Sequence, residues 1–419
     1  MGEDIKMATI KPFKAVRPAN EYVNMVAELP YDVMNREEAK KIAEGNKYSF
    51  LHIDRAEIDL DDKVNESDEK VYEKAKENLN KFIDENIFIK DKEDAIYIYR
   101  EIVDDRAQIG IVACVAVDDN LNGVVKKHEY TKPDKELDRT NHIKYCKANT
   151  GTVLLTYKNN KGIEKIIDSY IYFKQPIYDF KTDDDVIHTV WKIDKECDIN
   201  KLVIGFEEVG NLYIADGHHR CAAAENIALD ERQKNPNYTG KEEFNYYTAM
   251  IAPDTNLKVM DYNRVVKDLN GFSEEEFLNK IKEKFIVKEV KNNYKPTCKG
   301  QVGMYLNNKW YEIEFNKEDL QNGDVVETLD ISILQKNILD EILGIKNPRS
   351  DKRIDFIGGI RGSKEIEKRV NEDMKVGFLM YPTKIEELIS VADENKIMPA
   401  KSTWFEPKVR CGIFLHELN

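Results

Sequence analysis

The sequence has no excess of positive charge. Among its 419 residues, 64 Lys and Arg are outnumbered by 78 Asp and Glu, which gives a net charge of -14 and an isoelectric point near 5.2. A surface of this charge does not attract a phosphate backbone, so we expect no nucleic-acid partner. The 41% of hydrophobic residues is enough for one large core or several ordinary ones, which excludes a disordered chain.

Paired cysteines and long apolar segments are also missing. The six cysteines are scattered without a CxxC pair, which is typical of free thiols in a reducing compartment and argues against a thiolate zinc site. The amino-terminal residues are charged, and the longest run of small and apolar residues, Ile109 to Val117, is nine residues long. We therefore expect a cytoplasmic, soluble protein with no membrane partner.

Common catalytic motifs are absent from the sequence as well. It has no Walker lysine motif, no set of kinase glycine-loop, HRD and DFG motifs, and no GxSxG elbow. These absences exclude the common nucleotide-handling and hydrolase folds at the level of motifs.

The pattern of apolar residues predicts a mixed α/β fold of the α+β type, in which mixed sheets have flanking helices. A hairpin is predicted from Ala95–Val103 and Ile109–Val117. An acidic stretch, Asp54–Glu69, is interpreted as a solvated loop. Further strands are predicted at 153–157, 166–173, 212–215 and 246–252, and helices at 220–233 and from a capping box at Ser273.

No repeat or linker divides the chain cleanly. We expect three segments: an amino-terminal α/β region at 1–120, a catalytic core at 121–265 and a carboxy-terminal α/β region at 266–419 that closes the site.

The most unusual local feature is Asp216-Gly217-His218-His219-Arg220, which joins an apolar strand to an alanine-rich helix. Gly217 permits a tight bend, helix amides point outward, and the imidazoles and the guanidinium can donate hydrogen bonds to a phosphate. Asp216 could hold a metal ion or accept a proton. The alternative is a helix cap beside a buried core histidine.

A second cluster contains His128, Glu129 and Arg139. Glu129 is a candidate general base, and Arg139 a candidate clamp for phosphate or carboxylate. A charged loop followed by the start of a helix explains the same residues equally well.

Two further clusters lie in the last seventy residues, which carry as many basic as acidic side chains. Lys401, Ser402, Thr403 and Lys408 could line a pocket that binds an anion, or they could form an ordinary edge strand. Arg361 follows a glycine-rich turn that fits no phosphate-loop or dinucleotide pattern, and it is a further candidate for anion binding.

Together these motifs resemble a bacterial and archaeal family known as a domain of unknown function. The resemblance runs from Thr9 to His416 and rests on segments 9–15, 29–33, 48–52, 128–129, 215–220, 355–359 and 401–405. Many members of that family have a His-Arg pair where this chain has Asn263-Arg264, so no role is carried over for that histidine.

The Asp-Gly-His-His-Arg turn is similar to that of free serine kinases of the ParB/sulfiredoxin-like superfamily. The resemblance implies a ParB-like core that phosphorylates L-serine from ATP, ADP or pyrophosphate. It implies that Asp216 is the acidic catalytic residue beside Mg²⁺, and that Glu129 takes the serine proton. The implied phosphate contacts are His218, His219 and Arg220.

Other functions stay open on the sequence alone. The protein could be a ParB-like nucleotide-binding switch, and a metal-dependent phosphatase is a third reading. The expected partners are serine and the phosphoryl donor, and the sequence leaves a homodimer open.

Overall fold

The computed structural model describes residues 7–291 and 294–418. The chain divides into two compact units. The first unit contains 1–126, 131–257 and 407–419, and the second contains 127–130 and 258–406. The three predicted segments divide the chain elsewhere, because their boundary at residue 120 lies inside the first unit, whereas the boundary at 265 lies eight residues beyond the change of unit.

The strands of the described residues are between 2 and 11 residues long. They are β1 (Ile10–Lys11), β2 (Val16–Pro18), β3 (Phe88–Lys90), β4 (Ile96–Val103), β5 (Arg106–Ala116), β6 (Val125–Lys126), β7 (Ala148–Asn149), β8 (Val153–Tyr157), β9 (Tyr178–Lys181), β10 (Ile187–Ile193), β11 (Leu212–Asp216), β12 (Tyr246–Pro253), β13 (Val259–Met260), β14 (Tyr262–Val266), β15 (Ile286–Val290), β16 (Gln301–Leu306), β17 (Lys309–Glu314), β18 (Ile354–Gly358), β19 (Val376–Leu379), β20 (Trp404–Phe405) and β21 (His416–Glu417).

The helices range from one turn to almost five turns. They are α1 (Val23–Val26), α2 (Arg36–Ala43), α3 (Leu51–Asp54), α4 (Glu69–Asp84), α5 (Val117–Leu121), α6 (Pro133–Cys146), α7 (Lys161–Phe173), α8 (Glu196–Val209), α9 (His218–Lys234), α10 (Glu274–Lys282), α11 (Lys317–Gln321), α12 (Asp330–Leu334), α13 (Gly362–Glu372) and α14 (Ile385–Asp393). None of the helices within the described ranges is long and apolar enough to span a membrane.

A nine-stranded sheet forms the centre of the first unit. Its order is β6-β11-β8-β12-β5-β4-β10-β9, and β1 pairs with β5 in addition. The β4–β5 pair is the predicted hairpin, with Tyr99 opposite Gly110. Because β11 lies between β6 and β8, the turn that follows β11 starts from a strand that is hydrogen-bonded on both sides.

The second unit contains a six-stranded antiparallel sheet in the order β15-β17-β16-β19-β14-β18. Its core packs around Trp310, Val265 and Ile366, which are fully buried. The predicted capping box begins α10, because the Ser273 hydroxyl accepts from the Glu276 amide at 3.3 Å. The mixed α/β class with helix-flanked sheets is thus confirmed.

One predicted strand is wrong. Residues 166–173 belong to helix α7, which begins after Asn160, whose side-chain oxygen accepts from the Gly162 amide at 2.8 Å. Ile163, Ile167 and Tyr170 are the buried residues of this helix and lie three and four positions apart. The β-branched and aromatic residues of the segment favour a strand, but the helical spacing of its buried residues decides the structure.

The acidic stretch from Asp54 to Glu69 is not a solvated loop at its start. Asp54 and Glu57 are buried, and the Arg36 guanidinium donates to five backbone carbonyls of the segment, including that of Glu57 at 2.6 Å. Residues 65–69, by contrast, are exposed, as predicted.

Asp119 gives the first unit a testable dependence on pH. Burial raises the pKa of its carboxyl to about 6, although the Thr9 amide donates to it at 2.6 Å. A carboxyl whose pKa is raised in the folded state stabilises the fold at pH values below its pKa in the unfolded chain. This contribution is lost as the pH rises through about 6. We expect Asp119→Asn to be more stable than the parent by roughly 1–3 kcal/mol at pH 7 and to show little difference near pH 3.5.

Urea unfolding at the two pH values measures this difference. The exposed Asp105 supplies the control, because Asp105→Asn should change stability at neither pH. An equal effect of Asp119→Asn at both pH values would contradict the assignment.

Candidate functional site

The turn between β11 and α9 has the geometry that glycine permits. Gly217 has φ +96°, in the left-handed region, and caps the amino end of α9. A Cβ at this position would lie 2.9 Å from Arg220 Nε. Gly217 is therefore required both by the bend and by the side chain of Arg220, which folds back over it.

Asp216 sits between two cations at this turn. Lys408 Nζ donates to Asp216 Oδ1 at 2.8 Å, and Arg220 Nη2 donates to Oδ2 at 2.8 Å. The other end of the guanidinium, Nη1, donates to the carbonyl of Thr152. Both cations are more than nine-tenths buried, so the cluster Lys408–Asp216–Arg220 is a preformed arrangement of charge.

The electrostatics of this cluster keep Asp216 ionised. Burial opposes ionisation of the carboxyl, but the charges of Lys408 and Arg220 outweigh it and hold the pKa of Asp216 well below its usual range. In the same way, burial works against the charge of Arg220, but Asp216 raises the pKa of the guanidinium. A carboxylate in this state is a weak base and serves best as an anchor for positive charge.

The two histidines of the turn lie at the start of α9. His218 is buried, whereas His219 is half-buried. The backbone amide of Lys132 donates to His219 Nε2 at 3.0 Å. Because an amide can only donate, Nε2 carries no proton in this arrangement, and His219 can donate to a ligand only through Nδ1.

Arg139 lies in a polar cleft of the first unit and is ion-paired there. Its Nη1 contacts Asp54 Oδ1 at 3.1 Å, and its Nη2 contacts Asp138 Oδ2 at 2.8 Å. The guanidinium stacks 3.9 Å from the centre of the Tyr31 ring. Its predicted role as a phosphate clamp stays a prediction, but two carboxylates already balance its charge.

Six predicted site residues belong to the second unit, and five of them come from two stretches of the chain, 128–129 and 401–403. His128 Nε2 lies 3.2 Å from Thr403 Oγ1, and the His128 carbonyl accepts from the Met398 amide at 2.9 Å. The structure thus joins two clusters that are 275 residues apart in the sequence. Glu129, half-buried, is the next residue, and Lys401, with φ +58°, precedes Ser402.

The other second-unit candidate, Arg361, is exposed at the start of α13. The predicted carboxy-terminal cluster is divided, because Lys401, Ser402 and Thr403 belong to the second unit, whereas Lys408 belongs to the first. Between Lys401 and Lys408, only Trp404 and Phe405 form a strand, which pairs with β13.

Several residues of the first-unit cleft have no counterpart among the predicted ones. They are Tyr31, Asp54, His142, Asn149, Thr150 and Gly151. Asp54 was assigned to the solvated loop, although it follows the fully buried Phe50 by one helical turn, a spacing that places both on one face. Gly151 lies so close to Arg220 that a Cβ on it would be 3.0 Å from Arg220 Cδ. The sequence gives no sign of this proximity, because the two residues are sixty-nine positions apart.

The described residues contain no group of three or more His, Cys, Asp or Glu side chains that could hold a metal ion. Asp216, the predicted magnesium ligand, already accepts from Lys408 and Arg220 through its two oxygens.

Fold and site together define an α/β protein with a buried, charge-paired turn at the start of a helix. The chain belongs to the family described as "Protein of unknown function (DUF1015)", whose profile matches residues 10–332. The resemblance drawn from the motifs is thereby confirmed. The segments 355–359 and 401–405 lie beyond the matched range.

Solved structures show distant likeness. SbnI with a C-terminal truncation from Staphylococcus aureus is 11% identical with a TM-score of 0.41, over 72% of this chain and 85% of that chain. A free serine kinase in complex with AMP is 14% identical with a TM-score of 0.37, over 72% and 91%. A conserved hypothetical protein from Pyrococcus furiosus is 13% identical with a TM-score of 0.35, over 73% and 95%. Values this low carry no functional argument. None of the curated proteins compared with the chain matches it.

Proposed function

We propose that the chain is a small-molecule phosphotransferase, a free L-serine kinase that forms O-phosphoserine from ATP, ADP or pyrophosphate. The proposal includes a ParB/sulfiredoxin-like core around the turn at Gly217. The observation that supports it is the cluster Lys408–Asp216–Arg220 at the amino end of α9. Phosphoryl transfer needs prepositioned positive charge more than covalent chemistry, and this cluster supplies it.

Within this proposal Asp216 acts as an anchor. It holds Lys408 and Arg220 in fixed positions, so the reaction does not have to reorganise them. The ammonium of Lys408 and the amides at the start of α9 would meet the oxygens of the phosphoryl donor. His219 would donate from Nδ1.

Magnesium belongs to the proposal only as a partner of the donor. A magnesium ion is commonly bound by one or two carboxylates together with substrate phosphates, and Asp216 could be one such ligand. The ion would neutralise charge on the phosphates when bound. No step assigned to the protein's own residues depends on it.

Glu129 is the proposed acceptor of the serine proton. As the serine oxygen bonds to phosphorus, the bond from phosphorus to the leaving phosphate oxygen breaks, and the hydroxyl proton passes to the Glu129 carboxylate. We expect Glu129→Gln to lower kcat by about 10²-fold, because a glutamine cannot accept the proton. Steady-state kinetics measure the loss, and the exposed Asp134 gives a control, Asp134→Asn, that should leave kcat unchanged. A parent-like kcat for Glu129→Gln would remove Glu129 from the mechanism.

A screen of donors against acceptors tests the whole proposal. The purified chain is incubated with Mg²⁺, serine and either ATP, ADP or pyrophosphate, and O-phosphoserine is detected by mass spectrometry. Formation above the level of the Asp216→Asn variant with one donor supports the kinase. No phosphoserine with any donor overturns it, and tight nucleotide binding in that case identifies a switch. Hydrolysis of phosphoserine faster than its synthesis identifies a phosphatase.

A further inference from the structure

A narrow cleft in the second unit contains a buried arginine. The cleft lies beside strand β14 and is lined by Arg264, Tyr262, Ser402 and Thr383, together with the carboxylates Asp330 and Glu387. None of the residues predicted from the sequence as site residues, except Ser402, lies in it. The free space between the side chains is about 10 Å³, roughly the room that one water molecule needs.

Arg264 is only 2% exposed, and its hydrogen bonds go to uncharged groups. Its Nη1 donates to the carbonyl of Tyr262, and its Nη2 donates to the carbonyls of Ala400 at 3.1 Å and Lys401 at 3.0 Å. Among the described residues no carboxylate pairs with it. Burial lowers the pKa of this guanidinium to about 9.

The other buried arginines of the described chain are all paired. Each of them contacts at least one carboxylate: Arg55 with Glu57, Arg139 with Asp54 and Asp138, Arg220 with Asp216, and Arg410 with Asp184. A buried charge without a counter-ion is costly for a folded protein. The exception at Arg264 indicates that its counter-ion is supplied from outside the chain.

The wall around Arg264 is held in place. The Ser402 hydroxyl donates to the Pro399 carbonyl at 2.6 Å, and the Thr383 hydroxyl donates to the Ser402 carbonyl at 3.0 Å. A second cation lies near Tyr262, a residue that lines the cleft, because Lys401 Nζ is 5.5 Å from the centre of the Tyr262 ring. These contacts fix the segment from which the carbonyl partners of Arg264 come.

The carboxylates of the cleft limit the kind of anion that fits. Glu387 is paired with Lys299 at 2.5 Å, whereas both oxygens of Asp330 accept from the Gly300 amide, an uncharged group. A phosphate dianion would be repelled by Asp330, and its tetrahedral group is larger than a planar carboxylate. A ligand with one carboxylate and one ammonium group complements both kinds of charge.

We infer that this cleft binds the carboxylate of a small α-amino acid through Arg264, with the ammonium group of the ligand toward Asp330. The inference rests on the proposed function, because it supplies that function with a recognition site for its acceptor. The carboxylate of the ligand takes the place of the missing counter-ion of Arg264.

Calorimetric titration of the full chain without a phosphoryl donor tests the inference. The ligands are L-serine, 3-hydroxypropionate, which lacks the amine, ethanolamine, which lacks the carboxylate, and inorganic phosphate. We expect serine to bind best, 3-hydroxypropionate more weakly and ethanolamine least. Phosphate binding more tightly than serine, or no binding of serine, overturns the inference.

Two variants assign the binding to the cleft. Arg264→Lys keeps the charge but loses the planar fork, and we expect it to weaken serine binding about tenfold or more. Arg369→Lys is the matched control, because Arg369 is paired with Asp355 and Asp373 in the same unit and should bind serine as the parent does. Equal serine affinity of Arg264→Lys and the parent overturns the inference.

Asp330→Asn provides a second test that does not depend on how Arg264→Lys folds. The amide oxygen can still accept from Gly300, so the fold is retained, but the charge that meets the ammonium is removed. We expect serine to bind more weakly and 3-hydroxypropionate to bind as well as before or better. Unchanged selectivity between the two ligands overturns the inference. Because no donor is present, failure to bind serine is distinguishable from failure to form phosphoserine.

Discussion

The Asp216→Asn variant is expected to lose phosphotransfer by about 10³-fold and about 3 kcal/mol of unfolding free energy. Both effects come from Lys408 and Arg220, which donate to the two oxygens of this carboxylate at 2.8 Å and are more than nine-tenths buried. An asparagine leaves two buried cations with no anionic partner. They repel each other and lose the positions that the donor's phosphates require.

A double-mutant cycle separates the charge effect from a general loss of packing. Lys408→Met in the Asp216→Asn background removes one of the two unpaired cations. The double variant should therefore be less destabilised than the sum of the single variants by about 1–3 kcal/mol, as measured by urea unfolding. Activity should not return, since the charge offered to phosphate is then smaller.

The exposed pair Lys181–Asp185 serves as the control for this cycle. Because the Asp185 side chain is 86% exposed, Asp185→Asn should change the unfolding free energy by no more than about 0.5 kcal/mol. Additive effects of the Asp216 and Lys408 variants would show that the cluster is not held by its charges.

The strand-to-helix turn at Gly217 could be predicted from sequence because its cause is local. A glycine between an apolar strand and an alanine-rich stretch needs no distant partner, and β11 and α9 begin and end close to the predicted limits. The partners of the turn could not be predicted. Lys408 reaches Asp216 across 192 positions, and Thr152 accepts from Arg220 across 68.

The clusters near the carboxy terminus show a different limit. Lys401 and Lys408 are seven positions apart, and this proximity in the sequence suggests that both line one anion-binding pocket. The chain passes from the second unit to the first at Pro407, so Lys401 belongs to the second unit and Lys408 to the first. By contrast, His128 and Thr403 are far apart in the sequence and in contact in the second unit. Where a chain leaves and re-enters a unit depends on packing, which periodicity does not report.

The Arg139→Met variant is expected to lose about 3–5 kcal/mol of unfolding free energy at pH 7. The change leaves Asp54, 4% exposed, and Asp138 buried without their cation, although Tyr72 still donates to Asp138 at 2.9 Å. The methionine preserves most of the contact with the Tyr31 ring, so the loss measures charge rather than volume. Urea unfolding of the parent and variant gives the difference directly.

The pH dependence of this difference identifies its cause. In the parent, burial would raise the pKa of Asp138, but Arg139 holds it below its usual range. A carboxyl whose pKa is lowered in the folded state stabilises the fold at pH values above its pKa in the unfolded chain. This contribution is lost as the pH falls. Without Arg139, burial dominates and raises the pKa of Asp138. The variant then regains stability on acidification, and the difference between the two proteins should shrink between pH 7 and pH 4.

Arg353→Met supplies the contrast for Arg139→Met, because Arg353 pairs with Asp351 and Asp268 at a more exposed site. Its loss should stay below about 1 kcal/mol and change little with pH. If Arg139→Met remained as stable as the parent, the cleft beside Tyr31 would tolerate two uncompensated carboxylates, and Arg139 would then be free for the phosphate contact predicted from the sequence. A large loss that shrinks on acidification instead makes Arg139 the structural counter-ion of this cleft and leaves Lys408 and Arg220 as the cations of the proposed phosphate site in the first unit.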